Sequence, residues 1–138
     1  MIAHSEWKGS TIFEGIAENG NSVFFDANPA HTQGPIPMEA VLMALCGCTS
    51  VDVVSILEKK RQPLTGLRVT AIAEQAETAP RVFTKIKLTY AVSGRLSRKA
   101  VEDAVTLSKD KYCSVSKMLE KAAAIEYEIV YADGEPES

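Results

Sequence analysis

The chain has little of several things. Among 138 residues there are three cysteines, two histidines and one tryptophan, and the formal charge is only −3. Three cysteines cannot build the disulfide framework of a small secreted scaffold. The slight acidic excess and scattered cations argue against non-specific nucleic-acid binding, which needs a clear basic surplus. Residues Met1 to Gly9 have neither a cationic head nor a long apolar stretch, so no standard secretory signal is expected. The longest apolar run, Ala40 to Cys48, is too short to span a bilayer, and Asp52 and Glu58 follow it. There is no Gly-rich phosphate loop, dinucleotide fingerprint, Cys-x-x-Cys pair or internal repeat. No cofactor is therefore expected, and neither nucleic acid nor membrane is expected as a partner. A cytoplasmic protein with free thiols is the default.

What is present is core. Hydrophobic residues make up 46% of the chain, enough for one domain over residues 1–138 without staples; the polar segment 132–138 is expected to fray. Strands are predicted at His4 to Lys8, Thr11 to Ala17 and Val23 to Asp26, separated by Gly9-Ser10 and Asn19-Gly20-Asn21. The segment Ala27 to Pro37 carries three prolines and Gly34, so it is irregular. A long helix then runs from Met38 to Arg61, with Pro37 where helices commonly begin. It is apolar on nearly every face and is expected to be buried. Strands follow at Gly66 to Glu77 and Val82 to Val92. Ser97 is a plausible N-cap for a helix from Arg98 to Lys109, a short helix covers Ser114 to Ala123, and a last strand covers Ile125 to Tyr131. The order βββ–α–ββ–αα–β segregates strands from helices, as in an α+β fold.

The thiols are the chemistry-bearing residues. Cys46 and Cys48 lie two apart on the predicted helix, about 200° apart around its axis. One helix cannot aim both at one atom, so neither a chelate nor a direct disulfide between them is expected. At most one faces the chemistry, and Cys46 is taken as the core member. Cys113 precedes the short helix, where unpaired N–H groups and the dipole favour a thiolate, with Lys111 and Lys117 adding to this if close. The bland alternative is a cysteine packed under the helix start. His31, in the irregular segment, could be a base or ligand, although such a histidine is more often solvated.

Two segments resemble a known family. Gly34-Pro35-Ile36-Pro37-Met38-Glu39-Ala40-Val41-Leu42, leading to Cys46-Gly47-Cys48-Thr49-Ser50, is similar to the central-helix motif of the OsmC/Ohr superfamily. Tyr112-Cys113-Ser114-Val115-Ser116-Lys117-Met118-Leu119 is similar to its second cysteine motif. The resemblance spans essentially the whole chain and is closest to the YhfA-like branch. It implies an OsmC-like fold with a long buried central helix in an intertwined homodimer. It also implies a thiol-dependent peroxidase for organic hydroperoxides, regenerated by a dithiol reductant, with a role in oxidative-stress defence. Cys48 would be the peroxidatic cysteine and Cys113 the resolving one. Such a pair must come within disulfide reach, with Cα atoms about 4.4–6.8 Å apart.

The sequence departs from the family at two places. The family's glutamate directly after the helix-opening proline is here Met38, and the acid is Glu39, one step of about 100° further on. The family's N-terminal arginine is missing: no arginine precedes Arg61, and Lys8 is the one lysine of the N-terminal strands. Glu39, Lys8 and His31 are therefore accessory candidates only. The departures keep a second reading open, a non-catalytic thiol sensor or a dimer binding a small hydrophobic ligand. Metal binding by Cys48, Cys113 and His31 is a third reading, against which the lack of paired ligand spacing counts.

Overall fold

In the computed structural model, residues 1–30 and 33–133 are described. The elements are β1 (Ala3–Trp7), β2 (Ile12–Ala17), β3 (Ser22–Asp26), α1 (Pro37–Lys59), β4 (Leu64–Gln75), β5 (Phe83–Gly94), α2 (Arg98–Leu107), a π-helical turn (Ser108–Tyr112), α3 (Ser114–Leu119) and β6 (Ala124–Tyr131). The expected α+β order is present, with one addition, the π turn. Within the span expected to form one domain there are two compact units, Met1–Leu42 and Met43–Ser138.

The first unit is an antiparallel meander, β1–β2–β3. Gly9 and Ser10 turn the first hairpin with positive φ, a conformation glycine takes without strain. The register sets Glu6 opposite Glu14, a repulsive pair. Lys8 offsets it by approaching both carboxylates, at 3.2 and 3.5 Å. At the end of β3 the buried Asp26 accepts from Thr11 Oγ1 at 2.7 Å and from the backbone N–H groups of Asn28 and Gln33 at 2.9 and 3.1 Å. A buried carboxylate is tolerable when it is hydrogen-bonded in this way. It also replaces the backbone partners that an irregular segment lacks. Gly34 lies so close to β3 that a Cβ there would collide with the Phe24 carbonyl. The chain then enters α1 through Pro37 at its first position, while Glu39 accepts from the Ile36 N–H at 3.0 Å, one half of a capping box.

In the second unit, β4 and β5 pair antiparallel and β5 and β6 pair parallel. Parallel neighbours need a crossover, which α2, the π turn and α3 supply. Along β5, Ile86, Leu88, Tyr90 and Val92 are buried in period-two alternation. Across from them α1 buries Leu45, Thr49, Val53 and Leu57, one stripe at four-residue spacing. Burial on every face, expected from the apolar sequence, is not found within the chain: Met43 is 59% and Val51 69% exposed. By length and composition the whole of α1 could also cross a membrane, unlike the shorter run weighed from sequence. Its polar Thr49 and Asp52 are nevertheless hydrogen-bonded inside the second unit.

Two helix ends differ from expectation. Ser97 caps α2, accepting from the Ala100 N–H at 3.3 Å, but α2 stops at Leu107 rather than Lys109. From Ser108 the chain widens into the π turn, closed by the Cys113 N–H on the Ser108 carbonyl at 2.8 Å. The Ser108 hydroxyl is held by α1, a tertiary tie that local propensity cannot encode. Helix α3 ends at Leu119 rather than Ala123, where the N–H groups of Lys121 and Ala122 close tighter three-residue turns onto the Met118 and Leu119 carbonyls.

Candidate thiol site

The π turn and α1 together bring Cys113 beside Cys48. Cys113 is fully buried and Cys48 is half-buried, and all three cysteines are free thiols. The Cys48 side chain lies close enough to the Cys113 thiol to raise its pKa. One helical turn beyond Cys48, Asp52 acts on the same thiol through its charge. From α3, the Ser116 N–H donates to Cys113 Sγ at 3.3 Å.

The expectation that the helix start makes Cys113 a ready thiolate needs correcting. The helix-start N–H is in place and does favour the anion, but burial outweighs it, and Cys48 and Asp52 push the same way as burial. The thiol is pushed up to about 12. Neither expected lysine helps. Lys117 is held by Glu120 at 2.7 Å, and the Lys111 ammonium sits over the Tyr112 ring.

Behind the pair runs a buried chain of hydroxyls. Thr49 Oγ1 lies 2.7 Å from Tyr90 Oη and 2.7 Å from Ser108 Oγ, and Ser108 Oγ donates to Asp52 Oδ2 at 2.8 Å. Burial pushes the Tyr90 phenol up to about 12, against the opposing pull of its Thr49 hydrogen bond. This chain joins α1, β5 and the π turn at the residue next to Cys48. On its outer side, Asp52 and Tyr112 border a cavity of about 460 Å³ that includes Ile56, Leu107, Lys59 and Lys60.

Cys46 is placed differently. Its sulfur meets the backbone of Ala71 on β4, and burial raises its pKa, which suits a packing residue. Lys8 is engaged by Glu6 and Glu14, and Glu39 serves the start of α1. His31 lies outside the described residues, and among the described residues no cluster of three or more His, Cys, Asp or Glu side chains could hold a metal. Sequence reasoning did not single out Asp52, Thr49, Ser108 or Tyr90 for the site. One signal was available: Asp52 is the one charged residue between Glu39 and Glu58 in this apolar helix, four residues after Cys48.

A half-buried thiol on a long helix, set near a fully buried thiol on a helix-opening turn within this α+β order, defines a class. The chain belongs to the OsmC-like protein family, whose model matches residues 30–128. Among curated proteins it is similar to Protein YhfA of Escherichia coli K12, 46% identical over 135 residues, which are 96% of this chain and all of that protein. Its fold is also that of an OsmC-like protein from Mycoplasma pneumoniae, with TM-score 0.83 and 15% identity over 94% of this chain and 95% of that one. A third similar structure is an organic hydroperoxide resistance protein, OsmC, from Legionella pneumophila. It has TM-score 0.70 and 13% identity over 94% of this chain and 97% of that one.

Proposed function

We propose that this protein is a thiol-dependent redox enzyme that reduces organic hydroperoxides in defence against oxidative stress. The observation that carries the reading is the approach of a half-buried Cys48 to a fully buried Cys113 on a separate element. In the first step the Cys48 thiolate attacks the peroxide oxygen, the O–O bond breaks, and the alkoxide leaves as an alcohol after taking a proton. Cys48 becomes a sulfenic acid. Cys113 then attacks the Cys48 sulfur, a disulfide forms, and the sulfenic hydroxyl leaves as water with the Cys113 proton. A dithiol reductant restores both thiols by exchange. The low exposure of Cys113 keeps it from meeting peroxide itself, and its nearness limits over-oxidation of Cys48.

The working form in this reading is a cytoplasmic homodimer. Met43 and Val51 leave an apolar strip of α1 uncovered by the described residues, and Gly47 between them has open space where a Cβ would point. A second copy of α1 fits that strip. Three free thiols suit a reducing compartment.

The test is hydroperoxide consumption with a dithiol supplied. Wild-type protein should consume cumene hydroperoxide steadily while Cys48→Ser should not. Equal rates would remove the enzymatic reading. The sensor or ligand-binding reading is favoured by the engagement of Lys8 and Glu39 elsewhere. It predicts a single stoichiometric reaction that does not recycle.

A further inference from the structure

A fully buried thiol must give up its proton inside the fold before it can attack, and Cys113 is fully buried. The sulfur anion then needs a donor beside it. Ser116 is placed there: its N–H donates to Cys113 Sγ at 3.3 Å, and the residue is 1% exposed. Its side chain is so far without a purpose. Ser116 Oγ is buried and has no hydrogen-bond partner among the described residues. A buried hydroxyl left unpaired costs folding free energy, so it calls for a cause.

The local structure explains why the hydroxyl is unpaired in the reduced protein. Cys113 caps α3, and Ser116 is the third residue of that helix. A side chain at this third position often reaches back to the N–H of the capping residue. Here that N–H is already spent on the Ser108 carbonyl at 2.8 Å. What Cys113 has left is its sulfur. A neutral thiol is a weak acceptor, whereas an ionised acceptor makes a bond about twice as strong as a neutral one. The spacing allows that bond. Cys113-Ser114-Val115-Ser116 is a Cys-x-x-Ser run, and in Cys-x-x-Cys redox pairs the side-chain atoms at this spacing come within bonding distance.

We propose that Ser116 is a catalytic residue of the resolving step, its hydroxyl donating to the Cys113 sulfur as that sulfur becomes a thiolate and attacks Cys48. This deepens the peroxidase reading and rests on the same thiol pair. In that step the S–S bond forms and the sulfenic hydroxyl leaves as water with the Cys113 proton. The Ser116 proton stays on its own oxygen throughout.

The step can be followed without peroxide. With Cys46→Ala as background, Ellman's reagent converts the more exposed Cys48 to a mixed disulfide and releases one thionitrobenzoate. Attack by Cys113 on the Cys48 sulfur then forms the protein disulfide and expels a second, the thiol proton passing to buffer. Ser116→Ala should leave the first release unchanged and slow the second about tenfold, a factor that one hydrogen bond to a charged atom supplies. The urea midpoint of the reduced protein should not fall, because the hydroxyl has no partner to lose. The geometry has its own readout. In the background Cys46→Ala with Cys48→Ser, Ser116→Cys leaves two thiols three residues apart. Diamide should close them into a disulfide, with loss of two hydrogens in intact mass. The proposal is overturned by an undiminished second release in Ser116→Ala, by a slowed release that comes with lost stability, or by thiols that diamide does not join. If the Ser116 effect appears while hydroperoxide consumption does not depend on Cys48, the peroxidase reading fails and the role of Ser116 in thiol exchange stands.

Discussion

Cys48 and Cys113 sit in opposite kinds of structure. Cys48 belongs to a regular 23-residue helix, half-open on its flank, whose buried stripe keeps strict four-residue spacing. Cys113 closes a π turn, fully buried, held by a carbonyl and an N–H. A regular element presents a thiol by periodicity alone. An irregular one must be held by tertiary bonds, and those bonds also set the chemistry. In the proposed reaction, reactivity falls to Cys48 and restraint to Cys113.

The sharpest way to break the comparison is to exchange a sulfur for an oxygen on each side. Cys48→Ser should abolish both oxidation and disulfide formation. Cys113→Ser should still oxidise once, leaving a sulfenic acid that dimedone traps. If both variants lost the first oxidation equally, the division of labour would be wrong.

Next comes the joint between the two regions. Thr49→Val preserves shape but removes the hydroxyl that meets both Tyr90 and Ser108. Leaving those buried groups short of a partner should cost about 1–3 kcal/mol in urea unfolding. It should also slow closure of the disulfide.

A smaller effect belongs to pH. Because Cys113 is pushed from 9.0 up to about 12, the folded state keeps its proton where the unfolded state loses it. Its contribution to stability is fully present below about pH 9 and fades as pH rises towards about 12. Tyr90, raised from 10.0 to about 12, adds a similar loss beginning one unit higher. Melting temperatures should therefore fall from pH 9 upward, and Cys113→Ala should fall less steeply. A wild-type curve that stays flat to pH 11 would contradict the buried, protonated thiol.

The least change is expected far from the pair. Glu39→Ala removes a cap from the start of α1 and should cost about 0.5–2 kcal/mol. The rate of the thiol reaction should stay as it was. A large loss of rate without loss of stability would return Glu39 to the chemistry.

These contrasts also explain what was legible in the sequence. The strands, α1 and the Ser97 cap follow from periodicity, turn residues and capping preference, which are local signals. The role of Glu39 follows from local chemistry as well, since an acid two residues after Pro37 serves a helix start. The π turn was not legible, because Ser108 is held there by Thr49 and Asp52, which are far away in sequence. The same gap misled the reading of Cys113. Its place before a helix was visible, packing under the helix start was the alternative to a thiolate, and burial outweighs a single N–H. The uncovered strip of α1 shows the reverse, since the sequence is apolar all round and the chain alone covers one face.

The account is tested most directly by intact mass before and after one equivalent of organic hydroperoxide, with wild type beside Cys48→Ser and Cys113→Ser. It predicts that wild-type protein loses two hydrogens and gains no oxygen, and that neither variant does so. A wild-type mass that keeps an added oxygen, or a two-hydrogen loss that survives removal of Cys113, would contradict it.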